Sequence, residues 1–197
     1  MKNKVCRICR RQEVKLYLKG QKCYTEKCPL INKSYPPGRH GKTKRVRKTN
    51  YLIRLREKQK LRKIYFMKER QFRRFFEKAQ KVKGNTAGTL IQLLERRLDN
   101  ILYRAGFSKS RRNARQIILH GHVIVNGRKV DKPSYTISPE EVIGFKDENN
   151  ITPEQKTIPK WLEADPERKT VRVLRLPEME DIDYDTNVSL VVEFYSR

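Results

Sequence analysis

The stretch that most constrains how this chain can fold is Leu94 to Val130, LERRLDNILYRAGFSKSRRNARQIILHGHVIVNGRKV. Leu94, Leu98, Ile101, Leu102 and Ala105 recur at helical spacing with charges between them, and Gly106 stands where a helix closes. This predicts one amphipathic helix. A second is expected after Ser108 or Ser110, either of which can cap it, burying Ala114, Ile117 and Ile118 and ending before Gly121. Val123-Ile124-Val125, Asn126-Gly127 and Arg128-Lys129-Val130 then read as a hairpin, because both central residues of a type I′ turn need positive φ and Asn-Gly adopts it at little cost.

The second helix and the hairpin are basic. Arg111, Arg112 and Arg115 fall together on one helix face, since positions three and four apart are neighbours. With Lys109, Arg128 and Lys129 they have only Asp99 and Asp131 nearby to offset them, so phosphate contact is favoured over a merely solvated face. The whole chain agrees. Its 47 Lys and Arg against 22 Asp and Glu leave +25, a self-repelling surplus that asks for a polyanion. Through Thr136 we count 39 basic and 8 acidic residues, net +31; from Ile137 onward 8 basic and 14 acidic, net −6. The nucleic-acid surface is therefore expected in the first two thirds. No apolar run approaches membrane-spanning length and no secretory apolar segment opens the chain, so a soluble, intracellular protein without a membrane partner is expected.

The four cysteines form two close pairs, Cys6 with Cys9 and Cys23 with Cys28, separated by thirteen residues. Two knuckles of this spacing can bring four thiolates to one tetrahedral ion, with zinc the expected metal and the closed sphere making it structural. Lys4, Arg7, Arg10, Lys22 and Lys27 would lower the thiol pKa values. Val14 to Leu18 alternates as a strand would, and too little apolar material surrounds it to hold without metal.

Pro29 to Asn50 holds Tyr35-Pro36-Pro37-Gly38-Arg39-His40-Gly41 and then Lys42, Lys44, Arg45, Arg47 and Lys48; prolines, glycines and like charges predict an extended segment poorly ordered without RNA. Tyr51 to Ala79 reads as two charged helices, striped by Leu52, Leu55, Ile64 and Met67 and by Phe72, Phe75, Phe76 and Ala79, with Arg54, Lys58, Arg70, Arg73 and Arg74 as candidate phosphate contacts. A third helix should run from about Thr89 into the opening stretch. After the hairpin, Ser134 to Ile137, Val142-Ile143 and Thr170 to Leu176 suggest further antiparallel strands. Glu178 to Asp185 is acidic and should face solvent, magnesium ions or a basic protein rather than phosphate. The apolar, β-branched end from Asn187 has strand propensity.

The motifs GF-S-SR-AR, GH-VNG and PSY resemble the small RNA-binding domain named after ribosomal protein S-four. Together with the paired cysteines, YPPG-HG, LREKQK, ERQFRRFFEKA, LLERRLDN, WLE-DP, RVLRLPE-EDID and VEFYSR, the chain resembles the bacterial S-four family of small-subunit ribosomal proteins in its zinc-containing form. The resemblance implies an α+β protein with a zinc-knuckle segment (1–45), a small helical domain (46–92) joined by a carboxyl-terminal helix (187–197), and an RNA-binding domain with an antiparallel sheet (93–186, core 94–145). It implies a structural constituent of the ribosome that binds small-subunit ribosomal RNA early in assembly, beside neighbouring protein S-five and near the messenger RNA entry channel, with influence on accuracy. The family's zinc ligands correspond to Cys6, Cys9, Cys23 and Cys28. Its RNA-facing positions correspond to Tyr35, Pro36, Gly38, Arg39 and His40, to the arginines of ERQFRRFF, and to Arg96, Arg97, Ser110, Arg111, Arg115, His120, His122 and Asn126. Two positions depart from the family pattern: Phe66 replaces a usual glycine, and Thr89 a usual capping glutamate.

Other functions fit less well. An RNA-modifying enzyme would need a catalytic domain, and only about fifty residues follow Phe145, with no nucleophile-base set among them. A DNA-binding zinc protein would need a recognition helix beside the metal, where the sequence carries little helix signal.

Overall fold

The computed structural model describes residues 4–43, 47–146, 157–183 and 185–196. The chain divides into two compact units, one made of the residues up to Phe72 together with those from Asp185 onward, the other running from Arg73 to residue 184.

In the first unit α1 (Lys4–Gln12) carries Cys6 and Cys9, and α2 (Pro29–Asn32) follows Cys28. α1 departs from the weak helix signal read beside the cysteines, and α2 from the extended segment expected from Pro29. Val14 to Leu18 forms no strand; it crosses as a loop whose Leu16 and Leu18 turn inward to 4% exposure each. Apolar alternation placed those leucines correctly but had no partner strand to make it a sheet. The long helix α3 (Asn50–Ile64) is capped by Thr49, whose hydroxyl accepts from the Leu52 N–H at 3.2 Å. It ends in a Schellman turn: the N–H of Phe66 donates to the Lys63 carbonyl and that of Met67 to the Arg62 carbonyl. This turn needs a left-handed residue, and Phe66 takes it at φ +53, so the missing family glycine is absorbed as strain rather than as a new turn.

The carboxyl end is α8 (Val188–Tyr195), not a strand. Asn187 caps it by accepting from the Leu190 N–H, and Val188 and Val191, three apart, bury one face against α3. Tertiary burial overrode β propensity here. α3 and α4 (Glu69–Lys81) are tied to α8 by Glu69, whose carboxylate accepts from Lys58 at 2.7 Å and from the Tyr195 hydroxyl at 2.8 Å, with Arg62 at 3.3 Å. Burial pushes the Glu69 pKa up, but those hydrogen bonds and charges outweigh it and leave it below the ordinary 4.5. A carboxyl depressed in the fold contributes stability above its unfolded pKa and loses it as pH falls through the folded one. Urea midpoints should therefore drop as pH falls below about 4.5, and Glu69→Gln should flatten that dependence while costing about 1–2 kcal/mol at neutral pH. A variant with the parental pH profile would refute the joint.

In the second unit α5 (Thr86–Glu95) is capped by Asn85, which accepts from the N–H groups of Ala87 and Gly88. The helix starts three residues before the expected Thr89, and its Asn85 cap is made without the glutamate missing there. The helix predicted to continue through Leu94 to Ala105 breaks at Arg96-Arg97, and α6 (Leu98–Arg104) starts anew. The cause is distant in sequence: Pro133 and Tyr135 carbonyls take the Asp99 and Leu98 N–H groups, and Arg97 bridges Thr136. Residues 134–137 thus serve that break, not the sheet. α7 (Arg111–Leu119) and the strands β1 (Val123–Val125), β2 (Arg128–Lys129), β3 (Val142–Phe145), β4 (Leu162–Asp165) and β5 (Thr170–Val173) follow. The sheet is antiparallel with order β2-β1-β3-β5-β4. Its core joins Leu98, Leu102, Phe107, Ile118, Val123, Ile143, Trp161 and Val171. α6 and α7 both close on Schellman glycines, Gly106 at φ +83 and Gly121 at φ +76, as the sequence predicted, and Asn126 and Gly127 at φ +47 and +78 form the type I′ turn.

Candidate nucleic-acid interface

Ser110 caps α7 through its hydroxyl, which accepts from the Asn113 N–H, and so sets which way the basic helix turns. The predicted triad on that helix divides. Arg112 is exposed, Arg115 is half-buried with its guanidinium 2.8 Å from Asp99, and Arg111 is 7% exposed. Arg111 points inward: its Nε donates to Asn100 at 2.8 Å and its guanidinium sits 4.5 Å from the Tyr103 ring centre. It holds α7 to α6 and is not a surface cation.

Other candidates also have partners inside the protein. Arg97 is fully buried, forked onto Asp99 at 3.0 and 2.7 Å with the Phe75 ring on its flank. Arg96 donates to the Ile137 carbonyl at 2.7 Å and to Ser138. Ser110 is 8% exposed and occupied as a cap. Asn126 spends its amide across the sheet, accepting from the Val142 N–H. In the first unit Lys58 is buried at 6% between Glu69 and the Phe194 ring, and Arg54 is paired with Glu193 at 2.6 Å. Arg97, Lys58 and Ser110 are buried, Arg96 and Arg54 part-buried and Asn126 exposed, and each is held by a partner within the protein. Spacing along one helix could not show this, because the buried side is chosen by other elements.

What stays on the surface is Lys109 and Arg112 at the start of α7, and His120, Arg128 and Lys129, with His122 half-buried, at its end. Eight residues separate Arg112 from His120, roughly 12 Å along a helix. Gly121 lets the hairpin close on the helix end: a Cβ there would lie 2.3 Å from Lys129 Cε, so the end of the lysine side chain lies directly over the glycine, and the rings of His120 and His122 on either side of it in the chain are 6.1 Å apart. Arg70 and Arg74 are exposed on α4, as is Arg73, which pairs with Glu77.

In the first unit Tyr35 is half-buried rather than loose. Arg10, which the sequence marked only as a neighbour of the cysteines, donates to the carbonyls of Lys33 and Tyr35 at 3.0 Å each and lies 4.8 Å over the Tyr35 ring, with Lys42 on that ring at 5.1 Å. These contacts tie the start of the segment after Pro29 to α1. Pro36, Gly38, Arg39 and His40 line a basic hollow of about 620 Å³ with Arg11, Lys48 and Arg56. Gly41 is required there, because a Cβ would meet the Pro36 carbonyl at 1.9 Å. Arg47 is exposed; Lys44 and Arg45 lie outside the described residues.

The thiols of Cys9, Cys23 and Cys28 are buried and that of Cys6 is half-buried, none in a disulfide. Burial pushes Cys9 up to about 11, opposed by a hydrogen bond from the Leu16 N–H and reinforced by the fields of Cys23, Cys6 and Cys28. Cys23 is likewise raised, and the Lys19 N–H lies 3.4 Å from its sulfur. Basic neighbours were expected to lower these values; desolvation wins because the thiols face inward and the lysines outward. Among the described residues no three of the His, Cys, Asp and Glu side chains stand in coordinating geometry. The donor chemistry, four sulfurs near enough for their fields to act on one another and backbone N–H groups bonded to two of them, is of the kind a soft divalent ion takes.

The acidic run is partly engaged. Asp181 forks onto Arg175 at 2.9 Å, Glu178 lies 3.6 Å from the same guanidinium and Asp183 reaches Arg104 at 2.6 Å, while Glu178, Glu180, Asp183 and Asp185 remain exposed.

Two helices on an antiparallel sheet, with cations gathered at the helix and hairpin ends, define an RNA-binding domain of the S4 type, and residues 96–143 match the family described as S4 domain. Residues 1–95 match the ribosomal protein S4/S9 N-terminal domain. The chain is 49% identical to small ribosomal subunit protein uS4A of Symbiobacterium thermophilum, with 98% of this chain and 97% of the relative covered. It is 48% identical to uS4 of Halothermothrix orenii (100% and 98% covered) and of Thermus thermophilus (98% and 97%). The chain belongs to the uS4 family of small ribosomal subunit proteins, a family of ribosomal proteins and not of enzymes. No helix among the described residues is long and apolar enough to cross a membrane.

Proposed function

We propose that this protein binds small-subunit ribosomal RNA directly and early, as a structural constituent that nucleates assembly of the cytoplasmic small subunit. The observation that carries this reading is the basic end of α7 and its hairpin, where the Lys129 side chain lies over Gly121, His120 and Arg128 are exposed, and the His120 and His122 rings stand 6.1 Å apart. A fixed group of donors on rigid elements is matched to a phosphate backbone. The basic hollow beside Tyr35 adds a second contact area. One zinc ion, held by Cys6, Cys9, Cys23 and Cys28, orders the amino-terminal segment and has no open position for chemistry. The exposed Glu178 and Glu180 suit a basic protein neighbour, which we take to be protein S-five, near the messenger RNA entry channel where the subunit's accuracy is influenced.

Filter binding to small-subunit ribosomal RNA and to a length-matched unrelated RNA, across a salt series, tests the reading. The ribosomal RNA should remain bound at salt that releases the other; equal affinities falling together would make this a general polyanion binder. Replacing Arg128 and Lys129 together by glutamine should lower the salt slope by about 0.7–0.9 per lost phosphate contact. Arg111→Ala should instead lower the melting temperature and leave the slope unchanged, because that guanidinium faces Asn100 and Tyr103. A slope lowered by Arg111→Ala alone would place that arginine at the phosphates.

A further inference from the structure

Between the two cysteine pairs the chain presents a pair of aromatic rings at its surface. Leu16 and Leu18 face inward, and Tyr17 between them faces outward at 38% exposure. Its φ is +49, a left-handed conformation that bulky L side chains seldom adopt. Tyr24 stands beside it with ring centres 4.8 Å apart and planes 30° from parallel, and it is 63% exposed. Tyr24 ends the short 3-10 turn Gly20–Cys23 through its backbone N–H, which donates to the Gln21 carbonyl at 2.9 Å, and its ring stands beyond the turn, largely in solvent. Two rings that merely covered Cys23 would be buried by doing so, and Tyr24 is among the most exposed large side chains of the molecule.

The segment around them is cationic. Lys15, Lys19, Lys22 and Lys27 flank the tyrosines against Glu13 and Glu26, and Lys19, Lys22 and Lys27 are exposed. Exposed aromatic faces set among cations are how proteins hold unpaired nucleotides, the ring taking the base and the charges taking the backbone. We infer that Tyr17 and Tyr24 form a stacking platform for an unpaired base of the bound ribosomal RNA, with Tyr24 presenting the outer ring and Tyr17 bracing it from behind. The inference rests on the RNA-binding function proposed above and adds a base contact to what is otherwise a phosphate-binding surface.

The test uses the full-length protein, small-subunit ribosomal RNA and a salt series, with Tyr24→Ala and Tyr24→Phe beside the parent. Loss of one base stack should weaken Tyr24→Ala by about 5- to 140-fold at every salt concentration. Because a phenol ring carries no charge, the salt slope should be unchanged. Tyr24→Phe keeps the π face and should bind within twofold of the parent. Thermal melting should match across all three, since the ring is exposed. Tyr24→Ala binding within twofold of the parent overturns the platform, as a protein partner at these rings would produce. A Tyr24→Phe loss equal to that of Tyr24→Ala also overturns it, by assigning the contact to the hydroxyl, and a lowered slope does so by assigning it to phosphate. A parent that does not prefer ribosomal RNA to the unrelated RNA fails the function reading itself, and the platform falls with it; a preferring parent with an indifferent Tyr24→Ala fails the platform alone.

Discussion

Arg104→Ala will destabilise the second unit by about 3–5 kcal/mol, the range for removing one partner of a buried ion pair. Arg104 is 6% exposed and Glu95 1%. The guanidinium donates to both oxygens of that carboxylate, at 3.1 and 3.0 Å, and to Asp183 at 2.6 Å. Glu95 also accepts from the Asn100 amide at 2.7 Å, and Asn100 in turn accepts from Arg111 at 2.8 Å. One chain of contacts thus runs from the acidic segment through α6 to the root of the basic helix. Truncating Arg104 leaves the Glu95 carboxylate in the interior without the guanidinium that forks onto it, and the protein must either protonate it or open. Trp161, the only tryptophan and fully buried in this unit, reports the unfolding directly in a urea titration. The double variant Arg104→Met with Glu95→Leu should recover most of the loss, since an apolar pair of similar size removes both charges together. An unshifted midpoint in Arg104→Ala would show that the pair contributes nothing.

Chelation of the zinc-loaded protein should have the larger local effect. Metal binding contributes roughly 10–16 kcal/mol in zinc-finger peptides, more than α1, α2 and their few buried side chains can supply alone. α1 has 9 residues and α2 has 4, too short to persist unaided, and the buried apolar groups near them are chiefly Leu16 and Leu18. Chelator should therefore remove helical circular dichroism and open residues 4–32 to protease, while Trp161 emission in the other unit stays unchanged. Cys9→Ser should behave like the chelated parent. Resistance to protease with the metal stripped would mean that the segment packs without it.

Several local features were legible because they depend on neighbours in sequence. Gly106 and Gly121 end their helices, Ser110 caps the basic one, and Asn126-Gly127 turns the hairpin, each within a few residues of the group it satisfies. The helical end at Val188–Tyr195 was legible only through family resemblance, because its β-branched composition argues for a strand and only α3 supplies the face that makes it a helix. The break at Arg96-Arg97 was not legible at all, since the carbonyls that cause it belong to Pro133 and Tyr135.

The candidate RNA face shows the same division. Sequence by itself determined that the chain is a strongly basic polyanion binder, where its caps and turns fall, and that four thiols come in two pairs, since these follow from composition and short-range bonding. Only the tertiary structure decided which cations are surface and which are struts. Arg111 and Arg112 are adjacent in the chain, yet one lies under Tyr103 and the other in solvent, because a helix turns each residue about 100° from the last and Asn100, eleven residues back, chooses the inward side.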